Sequence, residues 1–456
     1  MSIQSVPGID LRYFLIAFDK DGHERSDDPD GVMSDRIAAA IRGDQITDAL
    51  IISHGWKGDI PGAIEQYNRW IKAMADCEAD LKEIRQTRSN FSPLIVGFHW
   101  PSLPWGDEEF GTGARSFAAP SAQGGSPASL DAAVDAMVDT CADRIADTPR
   151  AREAIRKILL GATNAGPGTT SMPSEMADAY RTLNAEAGFG GQGPAGNPGE
   201  DREPFDPDRA LKNARAAAMM TPGAGPAFGG FGLPILLSPL QQLSFWAMKD
   251  RGRKIGEIAG ASLLRKMMAA VPPGKSVRFH LIGHSFGCIV VTAMAQSARA
   301  AGALTQPIKS LSLVQGATSL WGFCANIPQV GQSGYFRKVV EETIVSGPIL
   351  TTQSKFDTAV GRLYPIAAGV AFQVAFPVGQ FPKYGGLGAF GIQGPGLSLH
   401  DLAVGDAQHK YNFESGHIYN IECSAVINQG SGISGAHSDI AKPEVAHAIW
   451  EAVKAA

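Results

Sequence analysis

The sequence predicts an α/β fold: a mostly parallel sheet with flanking helices and one helical insertion. Three observations predict it. Short apolar runs rich in strand formers alternate with segments whose apolar residues recur at helical spacing. The composition changes abruptly between residues 102 and 237, where glycine and proline cluster. A glycine-flanked serine stands where one apolar run meets a helical segment.

Residues 13–19 (YFLIAFD) read as a strand and Lys20-Asp21-Gly22 as a turn, so a hairpin is expected to open the chain. Residues 49–53 (ALIIS) read as a buried strand running into His54-Gly55-Trp56. Across 60–83, Ile64, Tyr67, Trp70, Ile71 and Met74 share one helical face. Residues 94–100 (LIVGFHW) read as another strand, ended by Pro101. Beyond the insertion, 239–271 reads as a long helix, 277–282 as a strand, 286–299 as a helix and 308–314 as a strand. The run 343–352 (TIVSGPILTT) and the run 418–427 (IYNIECSAVI) complete the strands, and 442–456 is a terminal helix. Strands alternating with helices call for a parallel sheet covered on both faces.

Within the insertion, Leu130, Val134, Met137, Cys141 and Ile145 repeat on one helical face. Thr148-Pro149 pairs a capping residue with proline at the first helical position, opening a second helix that stops near Gly161. Residues 188–207 and 222–234 are loops by composition, the second an apolar one. The expected organisation is a core made of 1–101 and 238–456, with 102–237 a helical, Gly/Pro-rich cap.

Composition excludes several functions. A chain of 456 residues with 44% hydrophobic and 19% charged residues has the make-up of a soluble globular protein. Its net charge of −5, with no Lys/Arg-rich run, argues against nucleic acid or an anionic membrane surface as partner. No run of about 18 apolar residues predicts an integral membrane span. The N-terminus has no basic-then-apolar secretory pattern, and the five cysteines are scattered, so a reducing, cytoplasmic setting is expected. There is no HExxH and no Cys/His ligand cluster, so no metal is expected. Gly274-Lys275-Ser276 is not a phosphate loop, because Ala269 replaces the first glycine and the segment precedes a strand. Cys288 reads as core packing.

Gly283-His284-Ser285-Phe286-Gly287 carries the chemistry. It follows the strand VRFHLI and precedes an apolar helix, the context in which a serine on a strained turn presents its hydroxyl as a nucleophile. An exposed Ser285 side chain is expected there. Of ten histidines, His437 is the candidate base, because it lies in a polar, glycine-rich loop after the last strand. The candidate acid is Asp357, just past the 343–352 strand, with Asp401 and Asp406 as rivals. The 316–328 loop has no Asp or Glu. An oxyanion hole needs one backbone N–H after the nucleophile and one from an earlier strand–loop junction; Phe286 and Trp56 occupy those places. His54 is expected to matter through its backbone rather than its imidazole.

These features resemble the α/β-hydrolase superfamily: the HGW loop, the GHSFG elbow, and the order Ser285, Asp357, His437. Residues 98–102 (FHWPS) are also similar to a Trp-Pro-Ser strand end in some bacterial members. The resemblance covers the elements on either side of 102–237. It implies the α/β-hydrolase fold, a serine nucleophile, an acyl-enzyme, and neither metal nor redox cofactor. The expected activity is cleavage of a small-molecule or lipid-like carboxylic ester. An amidase or peptidase and a thioesterase use the same constellation, and a catalytically silent binding or scaffold protein is the reading of another class. Two apolar, glycine-rich segments, 222–239 and 364–396, are expected to wall a pocket favouring hydrophobic acyl groups.

Overall fold

The computed structural model describes residues 3–28, 31–43, 45–56, 60–102, 127–165, 171–189, 202–220, 235–328, 330–369, 380–430 and 434–456. Among these, nine strands form one sheet in the order β1-β2-β4-β3-β5-β6-β7-β9-β8. They are β1 (Ile3–Ser5), β2 (Arg12–Ala17), β3 (Asp48–Ser53), β4 (Pro93–His99), β5 (Arg278–His284), β6 (Ser310–Val314), β7 (Ile349–Gln353), β8 (Leu399–Ala403) and β9 (Ile418–Glu422). Every pairing is parallel except β1 with β2.

The central strands are buried on both faces, as their unbroken apolar runs require: all six residues of β3 are buried. On one side, Tyr67, Trp70, Ile71 and Met74 of the helix Ile60–Ala75 join Val445, Ile449 and Val453 of the helix Pro443–Lys454 in a single core cluster with Leu50 and Ile52. The helix Gly287–Ala300 packs on β3, β5 and β6. Parallel pairing sends the carboxyl ends of the strands to one edge. The registers Ser53↔Gly283, His284↔Val314, Val314↔Thr352 and Gln353↔Glu422 set those ends side by side. In open α/β sheets this edge is where ligands bind.

The chain divides into two units. One comprises Met1–Leu103, Arg251–Gly361 and Gly385–Ala456 and holds the sheet; the other comprises Pro104–Asp250 and Arg362–Tyr384. The second unit contains the helices Pro127–Arg144, Pro149–Asn164, Ser174–Glu186 and Pro207–Met220, and the start of Ser238–Ile255. The Thr148 hydroxyl accepts from the Ala151 N–H at 3.1 Å and so caps the second of these helices. Inside this unit the Trp246 indole N–H donates to the Ala367 carbonyl at 2.8 Å and Lys249 Nζ donates to the Tyr364 hydroxyl at 2.6 Å. Among the described residues no helix is long and apolar enough to cross a membrane.

Several elements differ from expectation. The turn at Lys20-Asp21-Gly22 folds back for a single bridge, Phe18↔Glu24, while β2 takes its antiparallel partner from upstream, through β1. The 60–83 helix ends at Ala75 and restarts at Glu78, where Glu78 and Asp80 suit the positive end of a new helix. The 239–271 helix contains one wide turn, Gly256–Gly260. There the missing side chains of Gly256 and Gly260 let the backbone approach the helix Gly287–Ala300: a Cβ on Gly256 would lie 2.4 Å from the Val290 carbonyl oxygen. Of the 343–352 run only 349–352 is strand, and β7 continues to Gln353. The edge strands β1 and β8 had no period strong enough to mark them.

Candidate active site

Ser285 follows β5 directly and adopts φ +57°, a left-handed conformation that costs a residue with a Cβ about 1–3 kcal/mol. Neighbouring backbone holds it there. Its N–H donates to the Val314 carbonyl at 3.2 Å, and its own carbonyl accepts from Ala317 at 3.1 Å and Cys288 at 3.2 Å. The two flanking glycines are demanded by close approach. A Cβ at Gly283 would meet the Cys288 backbone nitrogen at 2.6 Å, and one at Gly287 would meet the Ser53 carbonyl oxygen at 2.2 Å. The G-x-S-x-G spacing is thus a packing requirement of a strand that turns sharply into a helix lying across the end of β3.

Ser285, His437 and Asp357 come together although 152 and 80 positions separate the successive pairs. His437 Nε2 lies 2.8 Å from Ser285 Oγ, and His437 Nδ1 lies 2.7 Å from Asp357 Oδ2. The carboxylate accepts from Nδ1–H, which leaves Nε2 to accept the serine hydroxyl proton. Asp357 takes two further donors, the Val360 N–H on Oδ1 at 2.9 Å and the Gln315 side-chain amide on Oδ2 at 2.9 Å. The loop carrying His437 is tied to the loop carrying Asp357 by the Asp357↔Gly435 bridge and by the Ala436 N–H donating to the Phe356 carbonyl at 2.9 Å.

The rival acids lie elsewhere. Asp401 sits on β8 and accepts from the Asn420 side chain at 2.9 Å, and Asp406 accepts from the Gln408 N–H at 2.9 Å. The expected exposure of Ser285 is corrected: the residue is 4% exposed, because Gly55 packs on its Cβ and His437 covers its hydroxyl.

Trp56 and Phe286 flank the serine, with ring centroids 5.9 Å apart. Gly55 carries Trp56 to this place: its missing Cβ would stand 2.4 Å from Ser285 Cβ. Of the two apolar segments, 222–234 and 370–379 lie outside the described residues. Tyr364–Ala367 is a short buried helix of the second unit, and Leu387–Phe390 is a short helix of the sheet unit with Leu387 and Gly388 buried. The Gly388 carbonyl accepts from the Gln315 amide at 3.2 Å.

Two buried histidines away from the serine have settled partners. His280 bridges Ser310 Oγ at 2.8 Å and Asp48 Oδ1 at 3.2 Å at the amino end of the sheet, where Arg88 also pairs with Asp48. His447 sits against both Asp80 oxygens at 2.9 Å. Burial pushes its pKa down, but the hydrogen bonds to Asp80 and the His409 carbonyl, with the charges of Asp80 and Glu451, together outweigh this and the pKa stands above the ordinary value. Burial holds Cys288 well above the usual thiol range, so this neighbour of the serine remains a packing residue.

Sequence reasoning missed three supporting residues. Gln315, at φ +45° beyond β6, steadies Asp357; an amide ending a buried strand was the available signal. His284 Nδ1 lies 2.8 Å from the Gln66 amide nitrogen, and His284 Nε2 lies 3.0 Å from the His437 carbonyl. With Gln66 donating, His284 donates in turn to the backbone that carries the imidazole of His437. Comparison of the chain with protein-family models, curated proteins and solved structures returns no match.

Proposed function

We propose that this chain is a serine hydrolase of the α/β-hydrolase type that cleaves carboxylic esters. One observation carries the reading: a serine held at φ +57° between a parallel strand and a helix, 2.8 Å from a histidine that is itself 2.7 Å from a buried aspartate.

In the proposed reaction Ser285 Oγ attacks the acyl carbonyl carbon while His437 Nε2 takes the hydroxyl proton. Asp357 holds the imidazole by Nδ1 and stabilises the imidazolium. The Trp56 and Phe286 amides hold the tetrahedral oxyanion. Collapse breaks the ester C–O bond, and His437 returns its proton to the leaving alcohol. Water then attacks the acyl-enzyme, giving its proton to His437, and the carboxylic acid departs as Ser285 is reprotonated. Preference for hydrophobic acyl groups is proposed from the composition of 222–239 and 364–396.

A fluorophosphonate probe tests the class: labelling at Ser285, lost in Ser285→Ala, is expected. Folded wild-type protein that neither labels nor hydrolyses any of a panel of aryl esters would be a silent binding protein instead. Rates across acetate to octanoate esters test the acyl preference. A steady fall with chain length would remove that part of the proposal.

A further inference from the structure

Residues 98–102 take no part in the triad, yet they surround His54 and Gly55. The Tyr67 hydroxyl donates to the Phe98 carbonyl at 2.7 Å and accepts the His54 N–H at 3.0 Å. The Trp100 indole N–H donates to the His54 carbonyl at 3.1 Å. The Ser102 hydroxyl, fully buried, donates to the Gly55 carbonyl at 2.9 Å. His54 Nδ1 meets that same carbonyl at 2.8 Å, and His54 Nε2 meets His99 Nδ1 at 2.9 Å and the Trp100 N–H at 3.4 Å. The hydrogen-bond partners fix the tautomers. A carbonyl can only accept, so His54 carries its proton on Nδ1 and receives at Nε2, and His99 supplies Nδ1–H. Burial pushes His54 down to about 4, which keeps the ring neutral near pH 7.

The Gly55 carbonyl and the Trp56 N–H belong to one planar trans peptide group, so they point in opposite directions. Whatever fixes the first aims the second. We propose that His54 and Ser102 are positioning residues that direct the Trp56 amide at the oxyanion by clamping the carbonyl of its own peptide group. The idea rests on the serine-hydrolase reading above. It gives the FHWPS segment a role and reverses the expectation that the His54 imidazole is incidental. Two donors on the carbonyl also polarise the peptide group, strengthening the N–H at its other end.

The test compares Ser102→Ala, His54→Asn and His54→Phe with the wild type. Asn places an amide N–H near the position of Nδ1, whereas Phe keeps the ring and removes the donor. Losing an oxyanion donor outright costs about 10²–10³ in kcat, and losing its aim should cost part of that. Expected is a fall in kcat of about tenfold for Ser102→Ala and about a hundredfold for His54→Phe, with KM within about twofold. Affinity for a trifluoromethyl ketone, which becomes a tetrahedral oxyanion on Ser285, should fall in parallel. Affinity for the matching methyl ketone should not. His54→Asn should recover most of both losses. Should His54→Phe fail to fold, Ser102→Ala and His54→Asn still decide the matter. Wild-type kcat and trifluoromethyl-ketone affinity in Ser102→Ala would overturn the proposal. So would a folded His54→Asn as impaired as His54→Phe, since the ring rather than its N–H would then matter. Wild-type protein inert to esters and to fluorophosphonate would instead overturn the serine-hydrolase reading, and the proposal with it.

Discussion

Substituting Gly55 with alanine probes the contact on which the site geometry depends. The new Cβ would stand 2.4 Å from Ser285 Cβ and 3.0 Å from both Ser285 Oγ and the His284 carbonyl oxygen. Carbon atoms rest about 3.5–4.0 Å apart, so the loop and the elbow must separate by about 1 Å. Neither side yields cheaply. The loop is clamped through His54, Trp100 and Ser102, and the elbow is anchored to Val314 and Ala317. Misplacement by about 1 Å costs about a hundredfold in rate, equivalent to about 2.7 kcal/mol. Overpacking costs a further 1–3 kcal/mol of stability, roughly. The glycine does not occupy the left-handed region, so the effect reports the contact rather than backbone strain. Ester hydrolysis gives kcat/KM, fluorophosphonate labelling gives the reactivity of Ser285, and thermal unfolding gives stability. Gly43→Ala, where a Cβ meets nothing within 4 Å, is the matched control. A Gly55→Ala protein within about threefold of wild type in kcat/KM would refute the reasoning, since that is far from the hundredfold expected of a 1 Å displacement.

Ser285→Gly and Ser285→Ala both lose hydrolysis, but the glycine variant should be the more stable by about 1 kcal/mol, because glycine adopts φ +57° without penalty. Equal melting temperatures would show that the elbow is not strained. Asp357→Asn should lower kcat about 10⁴-fold, since the new amide confronts the N–H groups of Gln315 and His437; a loss under tenfold would exclude Asp357 as the orienting acid. His447 binds its proton more tightly in the folded state, so its contribution is full below its unfolded value of about 6.5 and is lost as pH rises through the raised folded value. His447→Gln should therefore lose more melting temperature at pH 6 than at pH 9, and parallel pH profiles for the two proteins would contradict this.

Much of this was legible because the signals are local. A buried parallel strand shows as an apolar run, and β3, β4, β5 and β6 appeared within two residues of their bounds. The elbow showed because close packing imposes glycine at two fixed offsets from the serine. His437 and Asp357 followed from a topological argument: in a parallel sheet, whatever follows a strand lies at one edge. Edge strands are different. β8 is only partly buried and its five residues show no alternation, so neither period marks it. Supporting side chains are harder still. Nothing local distinguishes Gln315 from any other strand-end amide, because its partners Thr352, Asp357 and Gly388 are distant in sequence. His54 was read by its backbone alone, since the His99 donor to its ring appears only when β3 and β4 are paired.

Two of the three described non-glycine residues with positive φ share a common logic. Ser285 and Gln315 both adopt left-handed conformations, each one step past the end of a strand, on the neighbouring strands β5 and β6. Each is held by the next strand along: Ser285 N–H by the Val314 carbonyl at 3.2 Å, and Gln315 N–H by the Thr352 hydroxyl at 3.0 Å. Gln315 then turns its amide onto Asp357, which lies just past β7. Support for the nucleophile's turn and orientation of the acid thus pass through the same short stretch, Val314-Gln315. Strain of this kind persists only where the surroundings over-determine it. Here the over-determination comes from the sheet, whose parallel register fixes all three strand ends before any side chain is placed. A hydroxyl, an imidazole and a carboxylate on flexible loops would sample many geometries. With Ser285 just past β5, Asp357 just past β7 and the His437 loop bridged to the Asp357 loop, they are held in one, and such preorganisation is what the proposed reaction through a transient oxyanion requires.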